Sequence, residues 1–165
     1  MITHEEAHEL FAYDTHTGRV TNKKRRGTKA KKGKEAGYQH TTLGYRYICI
    51  GGKMYLAHRL IWFMLHDEWP EEIDHINGVR FDNRLSNLRV ATSRQNKQNR
   101  RTQSNNTSGY CGVHWYKQTK KWQAYIDIDG KRKHLGYFKV LEEAARAYNE
   151  AALKHFGEFA KLNII

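Results

Sequence analysis

A polar segment past the middle of this 165-residue chain limits it to two small folding units rather than one large domain. Directly after Asn99 the sequence reads RRTQSNNTSG, which has neither helical nor strand periodicity and is typical of a linker. Only 39% of the residues are hydrophobic, which is low for a single large core. We therefore predict two domains, residues 1–101 and 109–165, joined by a linker at residues 102–108.

The N-terminal domain is predicted to combine short strands with one core helix. Two strand-like runs, LFAYDTHTGRVTN and GYRYICIGGKMYLAHR, flank a basic segment. The next segment, YLAHRLIWFMLHDEWP, places apolar residues at helical spacing and ends before Pro70. His58 lies inside this predicted helix and is a secondary candidate for the functional site, although a lone histidine in a helix more often serves packing.

The C-terminal domain is predicted to be a sheet closed by one helix. Three strand-like runs, YCGVHWYKQ, KWQAYIDID and KRKHLGYFK, are separated by turn signals at Thr119-Lys120 and Asp129-Gly130. Residues 141–156 carry apolar side chains at helical spacing. The predicted class is α+β, with a three-stranded antiparallel sheet packed on one helix in this half.

The chain is strongly basic. Lys and Arg outnumber Asp and Glu by 29 to 17, which gives a formal net charge of +12. Such a charge attracts polyanions, so nucleic acid is the favoured partner, with a merely solvated basic surface as the alternative. Basic residues are densest between residues 22 and 34, in a run that can become ordered along a phosphate backbone. The candidates for phosphate contact are Lys23, Lys24, Arg25 and Arg26.

The cysteines and the N-terminus bear on the cellular compartment. Cys49 and Cys111 are far apart and neither has a second cysteine at metal-site spacing, so neither a disulfide framework nor a zinc site is encoded. Residues 1–10 lack the apolar core of a secretion signal, and no apolar run approaches the length of a membrane span. We expect a soluble protein in the cytoplasm of the cell that makes it.

The stretch EIDHINGVRFDNRLSNLRVATSRQNKQN, residues 72–99, carries the groups that phosphodiester hydrolysis needs. A carboxylate and an amide oxygen suit Mg²⁺, and a neutral histidine can take a proton from water. Asp74 and His75 are adjacent, so on a strand they point to opposite faces and the second metal ligand must come from elsewhere. Asn96 can supply it from the first turn of a helix that Thr92 or Ser93 would cap.

This stretch, from IDHING through SNLR to QNKQN, resembles the HNH endonucleases, the family with a ββα-metal active site, and the likeness extends over residues 10–100. By that resemblance Asp74 and Asn96 hold a divalent metal, His75 is the general base and Asn87 braces the loop. Asn99, one helical turn further on, is the rival for the second ligand. Because asparagine stands where many relatives have a final histidine, the resemblance favours Mg²⁺, with Mn²⁺ as the alternative, over a softer ion.

Residues 109–162 resemble the DNA-binding domain of the Apetala and ethylene-response factors, from SGYCGVHW through GKRKHLGYF to GEFAKLN. In that family a three-stranded antiparallel sheet lies in the major groove and the helix packs behind it. Alternation agrees with this, since Trp122, Ala124, Ile126 and Ile128 can face the helix. Only one of the family's contact positions keeps an arginine here, so a sequence preference does not transfer. The DNA contacts that the resemblance implies are His114, Tyr116, Tyr125, Asp127, Arg132 and His134.

Together the two resemblances predict a metal-dependent DNA endonuclease of the homing or mobile-element type. It would act on double-stranded DNA at a long, tolerant site and leave 5′-phosphate and 3′-hydroxyl ends. We expect a monomer with no small-molecule substrate and no membrane partner, for which nicking is the easier outcome. The alternatives are a DNA-binding regulator without catalysis and a restriction or defence nuclease.

Overall fold

A computed structural model, which describes residues 1–99 and 106–165, divides the chain into two compact units, Met1–Ser93 and Arg94–Ile165. The division therefore falls before the predicted domain boundary at residue 101. Residues 102–105 of the predicted linker lie outside the described residues. Asn106 and Ser108 belong to the second unit, because their short polar side chains hydrogen-bond to backbone carbonyls of Tyr110 and Val113.

The first unit begins with a short helix and two small sheets. Helix α1 (His4–Leu10) starts at Thr3, which forms a capping box with Glu6. Strands β1 (Phe11–Tyr13) and β2 (Val20–Asn22) form an antiparallel pair. Strands β3 (Tyr38–Gln39), β4 (Arg46–Ile50) and β5 (Lys53–Leu56) form a three-stranded antiparallel sheet in the order of the chain.

The core helix of the first unit is α2 (Ala57–His66), as predicted. It ends where Asp67 adopts a left-handed conformation with φ 53°, before Pro70. Strands β6 (Glu72–His75) and β7 (Leu88–Ala91) follow as an antiparallel pair, with a 3₁₀ turn at Leu85–Asn87 leading into β7. Burial of each large core side chain contributes about 1.5–3 kcal/mol. The largest fully buried hydrophobic residues of this unit are Phe11, Ile48, Leu60 and Ile61.

The second unit has the architecture that the sequence predicts, and the α+β class is confirmed. After helix α3 (Ser93–Gln98) come strands β8 (Val113–Tyr116), β9 (Lys121–Ile128) and β10 (Lys131–Phe138), paired antiparallel with β9 in the centre. Helix α4 (Leu141–Phe156) has the predicted bounds, and a 3₁₀ turn at Gly157–Phe159 follows it. None of the helices in the described ranges is long and apolar enough to cross a bilayer.

Helix α4 packs closely on the sheet because its buried side is built largely from alanine. Ala144, Ala145 and Ala152 have no exposed surface. Gly112, with φ +69°, lies where a Cβ atom would run into the Tyr148 ring. The closeness of this approach explains why small residues occupy these positions.

Candidate active site

Strand β6 delivers the Asp-His pair to two different environments. In the antiparallel register Asp74 lies opposite Arg89 and His75 lies opposite Leu88. Both Nε and an Nη atom of Arg89 donate to Oδ2 of Asp74, at 2.9 and 2.6 Å. Asp74 and His75 are only 6% and 5% exposed, respectively. The carboxylate is thus fixed by a charge-assisted pair, while the neighbouring imidazole takes its own set of contacts.

His75 is held as a neutral imidazole. Its Nε2 donates to Oδ1 of Asn83 at 3.1 Å, and its ring lies 6.0 Å from that of Tyr45 between centroids. Burial lowers the pKa of His75 below its ordinary value, although the hydrogen bond to Asn83 acts in the opposite direction. The positive charge of Arg80 also lowers the pKa of His75. A neutral imidazole is the form that can accept a proton at neutral pH.

His58, the secondary candidate, packs directly against His75. The two rings meet edge to face, with centroids 4.9 Å apart. Burial, together with the charges of His75 and Arg59, lowers the pKa of His58 to about 3. Among the residues that the structure describes, Nδ1 of His58 has no hydrogen-bond partner. His58 is therefore a neutral packing neighbour of His75, and a functional role for it stays a prediction.

Asn87 joins both ends of the loop that follows β6. Its Oδ1 accepts from the Asn77 backbone N–H at 2.9 Å, and its Nδ2 donates to the Asp82 carbonyl at 2.7 Å. Its own carbonyl accepts from the Ile76 N–H at 2.9 Å. Asn87 is 6% exposed, so these bonds are largely shielded from water. This is the geometry that a bracing residue needs.

The same loop is tightened by its own charged residues. Arg84 donates twice to the Asp82 carboxylate, at 2.8 and 2.6 Å, and Asn77 donates to it at 2.7 Å. The hydrogen bond from Arg84 holds the pKa of Asp82 at about 2. Asn83, only 3% exposed, also accepts from the Tyr13 hydroxyl through its carbonyl. The loop is therefore fixed independently of any bound metal.

Asn96 and Asn99, the predicted second ligand and its rival, lie in α3 and directly after it. Both belong to the second unit, so their metal roles stay predictions from the resemblance. Within residues 1–99 and 106–165 no group of three or more histidine, cysteine or acidic residues could hold a metal.

Arg26, predicted as a phosphate contact, serves the fold of the first unit. Its guanidinium donates to the Cys49 carbonyl at 2.8 Å and to Oδ1 of Asn22 at 2.9 Å. It also lies over the Phe11 ring, 4.5 Å from the centroid. These two hydrogen bonds separate Arg26 from Lys23, Lys24 and Arg25, whose side chains are exposed, and phosphate contact by Arg26 stays a prediction.

The other three residues of the basic cluster are exposed, and two of them hold the end of α1. Lys23 donates to the His8 carbonyl at 2.7 Å, and Lys24 pairs with Glu9 at 2.8 Å. Both pairs are near the surface, where such contacts contribute little and can exchange for a phosphate. Arg25 is exposed as well, so phosphate contact stays a prediction for these three residues.

In the second unit, the register gathers the predicted DNA-contact residues on one face of the sheet. His134 lies opposite Tyr125 and Arg132 lies opposite Asp127. The Arg132 guanidinium pairs with both Asp127 oxygens, at 2.9 and 3.0 Å, and lies 3.9 Å from the Tyr125 centroid. This ion pair uses two of the five N–H donors of Arg132, so donors remain for a guanine, and base contact by Arg132 stays a prediction. The face contains His114, Tyr116, Tyr125, Asp127, Arg132 and His134.

Several residues that contact the site are not among the candidates predicted from the sequence. Arg89 had a usable signal, since a hairpin register for the two short strands would have placed it opposite Asp74. Asn83 lies in a polar loop whose asparagines look alike in the sequence. Tyr45 comes from a distant segment, and nothing in the local sequence distinguishes Arg80 from the other arginines that follow β6.

Comparisons with known proteins show which sequences this chain is similar to. A family model described as HNH endonuclease matches residues 55–98. Protein 3.8 of Escherichia phage T7 is 32% identical over 106 residues, which cover 63% of this chain and 87% of that protein. A protein of Acanthamoeba polyphaga mimivirus, named as an HNH endonuclease, is 36% identical over 117 residues, which cover 69% of this chain and 59% of that protein.

The C-terminal part is similar to domains of plant proteins. An AP2-like ethylene-responsive transcription factor of Arabidopsis thaliana is 39% identical over 69 residues, which cover 42% of this chain but only 14% of that factor. No solved structure matches the chain significantly. The phage relative is matched over most of its length, and the family model spans the segment that holds Asp74, His75 and Asn87, so the chain belongs to the HNH endonucleases.

Proposed function

We propose that this protein is a metal-dependent DNA endonuclease of the homing or mobile-element type. It hydrolyses a phosphodiester at a long, tolerant site in double-stranded DNA and leaves 5′-phosphate and 3′-hydroxyl ends. The observation that carries the proposal is a neutral, buried His75 beside the fixed carboxylate of Asp74, at the start of a loop braced by Asn87.

His75 acts as the general base in this proposal. Because its Nε2 donates to Asn83, the lone pair of this tautomer is on Nδ1, which takes a proton from the attacking water. The water oxygen forms a bond to phosphorus in line with the departing 3′ oxygen. The bond between phosphorus and the 3′ oxygen breaks, and the 3′ oxygen takes a proton from solvent. Asn83 and the packing of His58 keep the imidazole oriented throughout.

Asp74 and Asn96 would hold the metal, with Asn99 as the alternative to Asn96. A carboxylate with an amide oxygen is a hard donor set, which fits Mg²⁺, with Mn²⁺ as the alternative ion. When bound, such an ion supplies charge stabilisation for the phosphate oxygens and for the departing oxygen. Arg89 positions the Asp74 carboxylate through its two hydrogen bonds.

The second unit positions the enzyme on DNA. Its exposed sheet face carries aromatic and basic side chains, and the net charge of +12 attracts the duplex. Two binding units on one chain raise each other's effective concentration on the same duplex, which suits a long site. We propose that the chain acts as a monomer in the cytoplasm of a bacterial or phage-infected cell, since a phage protein is among its relatives.

A strand-break assay tests this function. Supercoiled plasmids with a randomised insert are incubated with wild type, with His75→Ala and with His16→Ala, in Mg²⁺ or in chelator, and the new ends are sequenced. His16 is a matched control because its side chain is 96% exposed in the turn between β1 and β2. We expect metal-dependent breaks with 5′-phosphate ends at a recurrent sequence for wild type and His16→Ala, and none for His75→Ala. Cleavage by His75→Ala at the wild-type rate would refute the role of His75 as the base, and tight binding by wild type without breaks would favour a regulator.

A further inference from the structure

We propose that Arg80 binds a phosphate of the DNA backbone beside His75 and is a further substrate-contacting residue of the enzyme. The ligand class is a phosphodiester. The inference rests on the proposed function for the role of His75, and it adds a binding group that neither the sequence motif nor the comparisons assign. It rests on the contacts that hold the Arg80 guanidinium in the first unit.

Arg80 lies in the loop after β6 and is seated on the turn between β3 and β4. One of its Nη atoms donates to the Leu43 carbonyl at 3.0 Å. Its guanidinium lies over the Tyr45 ring, 4.8 Å from the centroid, and its Cβ passes 3.8 Å from the point where Gly44 would carry one. These contacts fix the plane and the direction of a side chain that is exposed.

The residues that hold the Arg80 guanidinium lie next to His75, the proposed base. The Tyr45 ring that supports the guanidinium is also in contact with His75, with 6.0 Å between ring centroids. The Tyr45 ring also contacts His58, with 5.2 Å between ring centroids, so it packs against both histidines. A phosphate held by Arg80 would therefore lie on the side of the molecule where His75 must meet its substrate.

Arg80 differs from the other arginines of this hairpin in its charge balance. Arg84 is paired with Asp82, and Arg89 is paired with Asp74. Within the part of the chain that the structure describes, Arg80 has only a neutral carbonyl and a ring as partners. The carbonyl occupies one of five N–H donors, so enough donors remain for a bidentate bond to phosphate.

The chemistry of this seat favours phosphate over other anions. A guanidinium stacked on an aromatic ring loses little side-chain entropy on binding, and its planar donors match two phosphate oxygens. The surrounding function also requires phosphate, because His75 acts on a water that attacks phosphorus. Lysine in the same place would keep the charge and lose both the stacking and the planar pair of donors.

Two readouts on the full-length protein test the proposal. The first is the salt dependence of binding to plasmid DNA in chelator, which needs no cleavage. The second is the single-turnover cleavage rate in Mg²⁺. The variants are Arg80→Gln and Arg80→Lys, with Arg84→Gln as the matched control for binding, since it removes an arginine of the same loop whose charge is already balanced by Asp82. Thermal unfolding checks that each variant is folded.

We expect Arg80→Gln to lower the slope of log K against log salt by about one and to slow single-turnover cleavage by about 10²-fold. Arg80→Lys should restore the slope but not the rate. Arg84→Gln should keep the wild-type slope. If Arg80→Gln keeps both the slope and the rate, or if Arg84→Gln lowers the slope equally, the proposal is overturned while the nuclease function stands. If wild type does not cleave but Arg80→Gln still lowers the slope, the proposed chemistry fails and the phosphate contact stands.

Discussion

Replacement of Asn87 by alanine should loosen the loop of the active site without unfolding the protein. The change removes an acceptor for the Asn77 N–H and a donor to the Asp82 carbonyl, with bond lengths of 2.9 and 2.7 Å. A side-chain hydrogen bond contributes about 1 kcal/mol net, and a partner left without a bond in a shielded site adds about 1–3 kcal/mol. We expect Asn87→Ala to lower the free energy of unfolding of the first unit by about 2–4 kcal/mol.

The assay for Asn87→Ala combines urea unfolding, amide hydrogen exchange and cleavage. Exchange at the Asn77 amide should accelerate, and cleavage should fall more than DNA affinity, because the loop next to His75 loses its shape. Asn87→Asp is the matched control: it keeps the acceptor for Asn77, so this amide should stay protected, while the bond to the Asp82 carbonyl is lost. An Asn87→Ala protein within about 0.5 kcal/mol of wild type, with normal Asn77 protection, would refute the bracing role.

Two further predictions concern pH and close packing. Burial holds the pKa of His58 at about 3, below its value near 6.5 in the unfolded chain, so below about pH 6.5 the folded state binds fewer protons than the unfolded state. The first unit should therefore lose stability as the pH falls from about 6.5 towards 3, by up to about 1.4 kcal/mol per pH unit. Urea unfolding at pH 7 and pH 5 should show a smaller loss of unfolding free energy for His58→Phe than for wild type. An equal loss in the two proteins would exclude His58 as a source of the pH dependence. Gly112→Ala should lower the melting temperature of the second unit far more than Gly130→Ala, because both have positive φ but only Gly112 places a Cβ atom against Tyr148. Equal melting temperatures for the two glycine variants would contradict the packing argument.

Much of the second unit could be predicted from the sequence because its signals are local. The Asp129-Gly130 turn has φ of 53° and 76°, and the pair was recognisable as a hairpin turn. Helix α4 was predicted with its observed bounds, since alanine and aromatic residues recur at helical spacing. Alternation along β9 also placed Ala124 and Ile126 on the buried side correctly, at 0% and 1% exposure.

The candidate site was predictable only as a set of residue types. The sequence determined that an Asp-His pair, a following polar loop and a bracing asparagine occur in order, because those signals lie within one short stretch. Tertiary structure alone decided that Arg26 points into the first unit and that Arg80 rests on Tyr45. Each of these contacts joins segments far apart in the chain. Their formation depends on strand register and on which groups burial leaves in need of a partner, and neither is written in the local sequence.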